Sequence, residues 1–459
     1  MTKVLAALLA LTAGLQAQQF VKVSAKTVAL VHVKVIDGAG AAPRTDQTIV
    51  IRDGLIATVG DAGNVTIPDG AERLDLVGHT VIPGLVGMHE HLFYPAFPRH
   101  NLYTEHAFSF PRLYLASGVT TARTAGGMEV QTDLMIKKWI DEGKWIGPSM
   151  LITAGYLEGP GTFTPNLLEM RNPGDATAFV EFWARMGATS FKAYMHITRA
   201  ELKAAIDTAH ARGLKVTGHL CSVGFREAAA LGIDNLEHGL VVDTEFVPGK
   251  QPDQCPDMTA ADIEALDVQG AGVQQTIREL VQHHVAVTST PAVFESAPPL
   301  QQRFLDALSP PTRVEYLLAR DRISESAKRA SANRVKKEIE FERAFVKAGG
   351  LLMAGADPTG NGSALAGFAD QRNIELLVAG GFTAVEAIQI ATLNGAKFLG
   401  MEKQIGSIEA GKRADLVVIE GNPAAKIADI ENTRIVFKGG VGYDPAKLLE
   451  SIRGSVGVQ

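Results

Sequence analysis

The sequence of 459 residues has no long apolar run in its interior, no excess of basic residues and only two cysteines. A helix that crosses a bilayer needs about 20 consecutive apolar residues, and we find no such segment. Lysine and arginine number 44 against 50 aspartates and glutamates, for a formal net charge of −6. No basic stripe or RNA-binding motif is present. We therefore expect a protein that acts on a small molecule, without nucleic acid and without stable membrane association.

The N-terminus is typical of a processing segment. Lys3 supplies an early positive charge, and the apolar run from Val4 to Leu15 is too short to span a bilayer. The small residue Ala17 then offers a cleavage point. We predict that residues 1–17 are a secretory signal and that the protein is exported to the periplasm. The alternative is a buried first helix or an uncleaved anchor.

The two cysteines are Cys221 and Cys255. An oxidising compartment permits a disulfide between them, which would pin the loop that carries Cys255. Two free buried thiols are the alternative, because a sequence does not give the distance between two side chains.

The pair His89 and His91 follows the apolar run from Val81 to Val86. Side chains alternate along a strand, so two histidines separated by one residue point to the same face. The pair alone is a weak indication of a metal site. It gains weight because further ligand types recur near the ends of later strand patterns; these are Lys192, His219, His238 and Asp357.

Eight strand patterns alternate with helical segments, which predicts βαβ units and a parallel sheet. Eight such units favour a closed (β/α)8 barrel, whose active site lies at the carboxyl ends of the strands. The strand patterns are 81–86, 118–123, 149–153, 190–194, 215–219, 234–239, 285–289 and 351–357. Helices are predicted over 175–186, 198–212 and 383–399, with two or more within 300–348. The hydrophobic content of 46% is sufficient for a sizeable core.

The motifs together resemble the amidohydrolase superfamily, in the branch that carries a lysine on the fourth barrel strand. This branch holds the prolidase-like and ochratoxinase-like enzymes and is related to imidazolonepropionase. The matching stretches are 81–91, 116–121, 191–192, 218–219, 236–239, 354–357 and 388–422. One position departs from the family: Gly87 stands where an aspartate is usual, which puts a contact behind the metal ligands in doubt.

The resemblance implies a TIM (β/α)8 barrel over residues 83–399. It also implies a small β-sandwich domain built from residues 18–82 and 400–459, where antiparallel strands are predicted near 27–37 and 47–54. Family members are often multimeric, so a homo-oligomer is compatible with the resemblance.

The resemblance also implies a site for two divalent metal ions, for which zinc is suited. His89, His91 and Asp357 would bind the first ion, and His219 and His238 the second. Lys192 would bridge them, because carboxylation by CO2 converts its amine into a carbamate, whereas an ammonium cannot bind a cation. A hydroxide that bridges the metals would then attack the substrate.

Asp357 would act as general base and then general acid, and Tyr194 would donate to the oxyanion or to a substrate carboxylate. His196 and Arg123 are further candidates for substrate contact. The expected reaction is hydrolysis of the C–N amide bond of a dipeptide or N-acyl amino acid.

Three alternatives stay open on the same scaffold: an esterase or lactonase, a cyclic amide hydrolase or deaminase, and a non-catalytic binding protein. The loops 155–173, 241–258 and 295–311 would set the specificity.

Overall fold

The computed structural model describes residues 18–96, 102–162, 164–165, 167–359 and 362–458. The predicted signal segment, residues 1–17, lies outside the described residues. Within the described ranges, no helix is both long and apolar enough to cross a membrane.

The strands fall into four hydrogen-bonded sheets. In chain order they are β1 (Val21–Val23), β2 (Thr27–Val35), β3 (Arg44–Arg52), β4 (Leu55–Asp61), β5 (Glu72–Asp75), β6 (His79–Pro83), β7 (Leu85–Glu90), β8 (Phe93–Pro95), β9 (Tyr103–Glu105), β10 (Val119–Thr124), β11 (Ser149–Leu151), β12 (Thr153–Leu157), β13 (Ser190–Ala193), β14 (Lys215–Gly218), β15 (Asn235–Glu237), β16 (Ala286–Ser289), β17 (Leu352–Ala354), β18 (Leu416–Glu420), β19 (Thr433–Lys438) and β20 (Val441–Tyr443).

The helices fill most of the connections between these strands. They are α1 (Ser109–Ala116), α2 (Val130–Asp141), α3 (Pro173–Met186), α4 (Arg199–His210), α5 (Phe225–Leu231), α6 (Ala260–Ala265), α7 (Ala271–Gln282), α8 (Pro291–Phe294), α9 (Gln302–Ala307), α10 (Pro310–Asp321), α11 (Glu325–Lys347), α12 (Phe368–Ala379), α13 (Ala384–Gln389), α14 (Gly395–Phe398) and α15 (Pro445–Ser451).

The predicted helices are present, and their caps explain where they begin. Thr198 precedes α4, accepts a hydrogen bond from the backbone N–H of Glu201 and donates its own N–H to that carboxylate at 2.9 Å. This reciprocal pair satisfies donors that the first helical turn leaves free. The segment 300–348 forms α9, α10 and α11, and the segment 383–399 forms α13, a π-helical turn and α14.

The strands that carry the predicted site residues are parallel, which confirms the α/β prediction. One sheet has the order β11-β10-β7 and the other β12-β13-β14-β15-β16-β17. Beyond the last of these strands, the backbone N–H of Asp357 donates to the carbonyl of His89 at 2.8 Å. The carboxyl ends of β7 and β17 therefore lie side by side.

The third predicted strand, 149–153, differs from the prediction. It divides at Ile152 into β11 and β12 and continues to Leu157. The backbone N–H of Thr153 donates to the hydroxyl of Thr124 at 2.8 Å. A side chain thus takes the place of a ladder partner, and the hydrogen-bonded sheet is interrupted there.

Strands from both ends of the chain share one continuous sheet of nine strands rather than two separate sheets. Its order is β1-β20-β19-β18-β6-β2-β3-β4, with β5 paired to β2. β2 and β3 are antiparallel, as predicted, and β18 pairs antiparallel with β6. Residues 79–83 and 416–420 are therefore direct neighbours, and the sheet adjoins the start of β7.

Candidate metal centre

The seven candidate site residues share one cavity of about 430 Å³ at the carboxyl ends of the parallel strands. They are His89, His91, Lys192, Tyr194, His219, His238 and Asp357. Each follows or lies in a different parallel strand, apart from the pairs 89 with 91 and 192 with 194.

His89, His91 and Asp357 form the tightest group. Their ligand atoms all lie within 4.8 Å of one another. Asp357 Oδ1 is 3.7 Å from His89 Nε2 and 3.4 Å from His91 Nε2. The backbone of Asp357 is in the left-handed region, with φ of 43°, which few non-glycine residues adopt outside functional sites.

The tautomers of the first two histidines follow from their outer hydrogen bonds. His89 Nδ1 lies 2.8 Å from Glu237 Oε2, and His91 Nδ1 lies 2.9 Å from the carbonyl of Gly126. Both partners only accept, so each Nδ1 carries the proton and each Nε2 presents a lone pair. This arrangement is typical of metal-binding histidines.

His219 and His238 occupy the neighbouring side of the cavity. Their ring centroids are 4.4 Å apart, and His238 Nε2 is 3.7 Å from Asp357 Oδ2. Burial, reinforced by nearby positive charge, lowers the pKa of His219 to about 3 and that of His89 to about 4. Both imidazoles are therefore neutral at pH 7, which is the form that binds a metal.

Lys192 is buried beside these histidines, with 1% of its surface exposed. It forms no ion pair with any residue in the described part of the chain, although the charges of Glu237 and Asp357 act on it. Burial lowers the pKa of its ammonium to about 8. A buried lysine without a paired carboxylate is costly as a cation.

Asp357 stays ionised although it is buried. Burial by itself opposes the charge, but the imidazoles of His89, His91 and His238 together hold the pKa of its carboxyl well below the usual range. The hydroxyl of Thr359 donates to Asp357 Oδ1 at 2.7 Å. The carboxylate is thus oriented with oxygens toward the histidines.

Tyr194 lies between the histidines and a second tyrosine. Its ring is 5.2 Å from that of His219 and 4.7 Å from that of Tyr156. Burial raises the pKa of the Tyr194 hydroxyl far above the neutral range. The phenol is therefore a permanent hydrogen-bond donor at the wall of the cavity.

Glu237 and Arg123 form a buried ion pair behind His89. The sequence analysis did not identify Glu237. Arg123 Nη2 donates to Glu237 Oε1 at 2.7 Å, and Arg123 Nη1 donates to Asn235 at 2.9 Å. The hypothesis that Arg123 contacts substrate is therefore wrong, because its guanidinium binds Glu237 and Asn235 and does not line the cavity. A charged residue inside the buried run 234–239 was the signal for Glu237.

Gly87 adjoins the carboxylate of Glu90. A side chain at position 87 would collide with that carboxylate, which accepts from the backbone N–H of Ala356 at 3.1 Å. Glu90 thus occupies the space that a larger residue at position 87 would need. Its hydrogen bond with Ala356 links β7 to the segment that carries Asp357.

His196, a further candidate for substrate contact, lies away from the cavity. His196 contacts Glu158 at 3.4 Å and does not line the cavity.

Cys221 and Cys255 form a disulfide between positions 34 residues apart in the sequence. The alternative of two free thiols is therefore wrong.

The donor set suits divalent metal ions. Four histidines, two of them with tautomers fixed by outer hydrogen bonds, an ionised carboxylate and a buried lysine converge from different strands on one cavity. Nitrogen and oxygen donors of this kind suit zinc and other first-row divalent metals.

Residues 80–441 match the amidohydrolase family. A curated relative, the 5'-deoxyadenosine deaminase of Methanobrevibacter smithii, is 42% identical over 62 residues, which are 14% of each chain. The first curated relatives are thus matched over less than a fifth of their length.

Two solved structures resemble the chain over almost all of its length. A Xaa-Pro dipeptidase with bound methionine is 21% identical, with a TM-score of 0.69, over 91% of this chain and 100% of that one. The ochratoxinase of A. niger is 18% identical, with a TM-score of 0.66, over 94% of this chain and 100% of that one. At these identities the likeness establishes a shared fold.

Proposed function

The chain belongs to the amidohydrolase family, and we propose that it is a metal-dependent hydrolase of carbon–nitrogen bonds that cleaves the amide of a dipeptide or an N-acyl amino acid. The observation that carries the proposal is the convergence of the His89, His91 and Asp357 ligand atoms, with both histidine tautomers fixed from behind. The parallel strands β7 and β10 to β17, with β11 and β12 as two parts of one strand, would form the closed (β/α)8 barrel over residues 83–399. Residues 18–82 and 400–459 would be the second domain.

Two metal ions fit the available donors. His89, His91 and Asp357 would hold one, His219 and His238 the other, and Lys192 would bridge them as a carbamate formed with CO2. Such a pair would supply an activated water nucleophile and polarise the substrate carbonyl.

The residues around the metals would then move protons and orient the substrate. Asp357 is ionised, so it can accept a proton from the attacking water and deliver it to the leaving nitrogen. Tyr194 can donate to the oxyanion that develops on the former carbonyl oxygen. The aromatic rings of Phe93, Tyr103, Tyr156 and Phe294 line the same cavity and exclude water around the scissile bond.

Amine release from a library of dipeptides and N-acyl amino acids tests the proposal on the zinc-supplemented protein. The variant Asp357→Asn should lose about 10³-fold or more in kcat/KM, because it removes both a metal ligand and the proton carrier. Asp321→Asn, at an exposed position, is the matched control and should keep wild-type activity. Silence of the whole library with metal bound would refute amide hydrolysis and favour the ester, lactone or cyclic amide alternatives.

We further propose that residues 1–17 direct export to the periplasm and are removed near Ala17. Mass spectrometry of the N-terminus of protein recovered from a periplasmic fraction tests this. A retained Met1, or protein confined to the cytoplasm, would contradict it.

A further inference from the structure

Arg334 is an unused cation at the wall of the cavity. It lies on α11, and its guanidinium stacks 4.1 Å from the ring of Phe294, which in turn faces His238 at 5.6 Å. Its Nη2 donates to the carbonyl of Val241 at 3.1 Å. Its buried Nε has no acceptor among the described residues.

The charge of Arg334 is not neutralised by the described residues. No carboxylate among them lies within ion-pair distance of it, and the nearest that acts on it is Glu338, one turn further along α11. Glu338 accepts from the backbone N–H of Val241 at 3.0 Å. Burial and the neighbouring Glu342 raise the pKa of Glu338 well above its usual range.

An apolar groove adjoins the cavity at Met128 and Tyr156. This second cavity, of about 670 Å³, shares Met128 and Tyr156 with the first. We call it the acyl groove; its other apolar lining residues are Val130, Leu167, Leu168, Met170, Phe179, Phe182 and Trp183. Leu168 is 74% exposed and Phe182 43%, and the ring of Phe182 lies 5.0 Å from that of Trp183 along the groove.

Arg334 and the acyl groove adjoin different strands of the parallel sheet. Phe294 and Val241, which hold Arg334, follow β16 and β15. Met128, in the segment after β10, and Tyr156, in β12, line both the first cavity and the acyl groove. In the order of the six-stranded sheet, β12 and β16 are four strands apart, and β14 and β15, which His219 and His238 follow, lie between them.

We propose that the substrates are N-acyl amino acids whose free carboxylate pairs with Arg334 and whose large apolar acyl group occupies the acyl groove. This rests on the proposed amide hydrolysis and narrows its substrate class. The carboxylate of an N-acyl amino acid is attached to the carbon next to the amide nitrogen. An amide bond over the metal ligands therefore places the amine half beside Arg334 and the acyl half beside Met128.

The reaction balances with water alone. A water oxygen forms a bond to the acyl carbon, and the C–N bond breaks. One water proton goes through Asp357 to the nitrogen, and the products are a carboxylic acid and the free amino acid.

A pair of substrates that differ only in the carboxylate tests the role of Arg334. N-octanoyl-L-phenylalanine and N-octanoyl-2-phenylethylamine present the same amide. The wild type should prefer the first by on the order of 100-fold in kcat/KM, because a charge-assisted hydrogen-bonded pair is lost with the second. In Arg334→Gln this ratio should fall toward one, whereas in Arg329→Gln, at an exposed position of the same helix, it should not. An equal loss on both substrates, or no preference in the wild type, would overturn the assignment.

A binding measurement separates this inference from the proposed reaction. Calorimetric titration of the metal-loaded protein with L-phenylalanine and with 2-phenylethylamine needs no turnover. Arg334→Gln should weaken binding of the amino acid by about 10-fold or more. The affinity for the amine should stay the same in this variant. Absence of amide hydrolysis would refute the proposed function, whereas unchanged amino acid affinity in this variant would refute the role of Arg334.

A series of acyl groups tests the groove. The wild-type kcat/KM should rise by about 10-fold or more from N-acetyl- to N-octanoyl-L-phenylalanine, because each buried CH₂ contributes about 0.8 kcal/mol. Phe182→Gln should reduce this gain. Met186→Gln is the matched control, since Met186 is 47% exposed on the same helix and lies outside the groove. A flat series in the wild type, or equal effects of the two variants, would contradict the groove assignment.

Discussion

At the scale of single residues, the orientation of His89 depends on the carboxylate of Glu237, which is shielded from the solvent. Glu237 accepts from His89 on one side and from Arg123 on the other. Burial opposes its ionisation, yet the hydrogen bond from His89 and the positive charges of Arg123 and Lys192 hold the pKa of this carboxyl well below the usual range. The ionised form fixes the His89 tautomer and increases the basicity of Nε2.

We predict that Glu237→Gln weakens metal binding by about 10- to 100-fold, the usual effect of removing a carboxylate behind a ligating histidine. Titration of the metal-free protein with zinc against a chelating dye measures this. Glu264→Gln, at an exposed position, provides the control. Equal zinc affinities of the Glu237 variant and the wild type would show that the carboxylate does not act through His89.

The residues that share the cavity could be predicted from the sequence, whereas the contacts behind them could not. His89, Lys192, His219, His238 and Asp357 lie at or near the ends of strand patterns, and parallel strands bring those ends together whatever the detailed packing. The pairing of Arg123 with Glu237 joins positions 114 residues apart, and the stacking of Arg334 on Phe294 depends on the path of α11. No local pattern encodes either contact.

At the scale of elements, α11 buries two carboxyl groups one turn apart, Glu338 and Glu342. Burial raises the pKa of Glu342 to about 8, whereas a glutamate in the unfolded chain titrates near 4.3. Between these values the folded state holds a proton that the unfolded state has released. The stabilisation is therefore complete below about pH 4.3 and is lost as the pH rises through 8.

Glu342→Gln should flatten the decline of stability between pH 6 and pH 9, since the amide stays neutral. The difference in slope from the wild type is at most about 1.4 kcal/mol per pH unit. Urea unfolding at a series of pH values measures it, with Glu340→Gln at an exposed position of α11 as control. Parallel profiles for wild type and Glu342→Gln would contradict the raised pKa.

Element types could be read from the sequence more securely than element ends. The capping box at Thr198 and Glu201 marks the start of α4 within one residue of the prediction. The division of the third strand at Ile152 could not be foreseen, because it depends on the Thr124 hydroxyl from another strand.

At the scale of the whole molecule, the nine-stranded sheet is buried on both faces where β18 and β6 run. Leu416 and Val418 point into the core of the sheet itself, with Val81 from β6. Val417 and Ile419 point into the main core beneath the parallel strands. Residues 416–419 are buried on both faces of β18, so the two cores share this strand and its pairings.

We therefore predict that the two cores unfold in one transition. Leu416→Ala and Ile419→Ala remove comparable, fully buried side chains from the two different cores, and each should cost about 2–5 kcal/mol. Differential scanning calorimetry should show a single peak in the wild type, and both variants should move that same peak to lower temperature. Two resolved peaks, with each variant moving a different one, would mean that the terminal sheet and the catalytic core fold independently. The shared strand pairing of β6 and β18 argues against that outcome, because residues 79–83 lead directly into β7, which carries the candidate metal ligand His89.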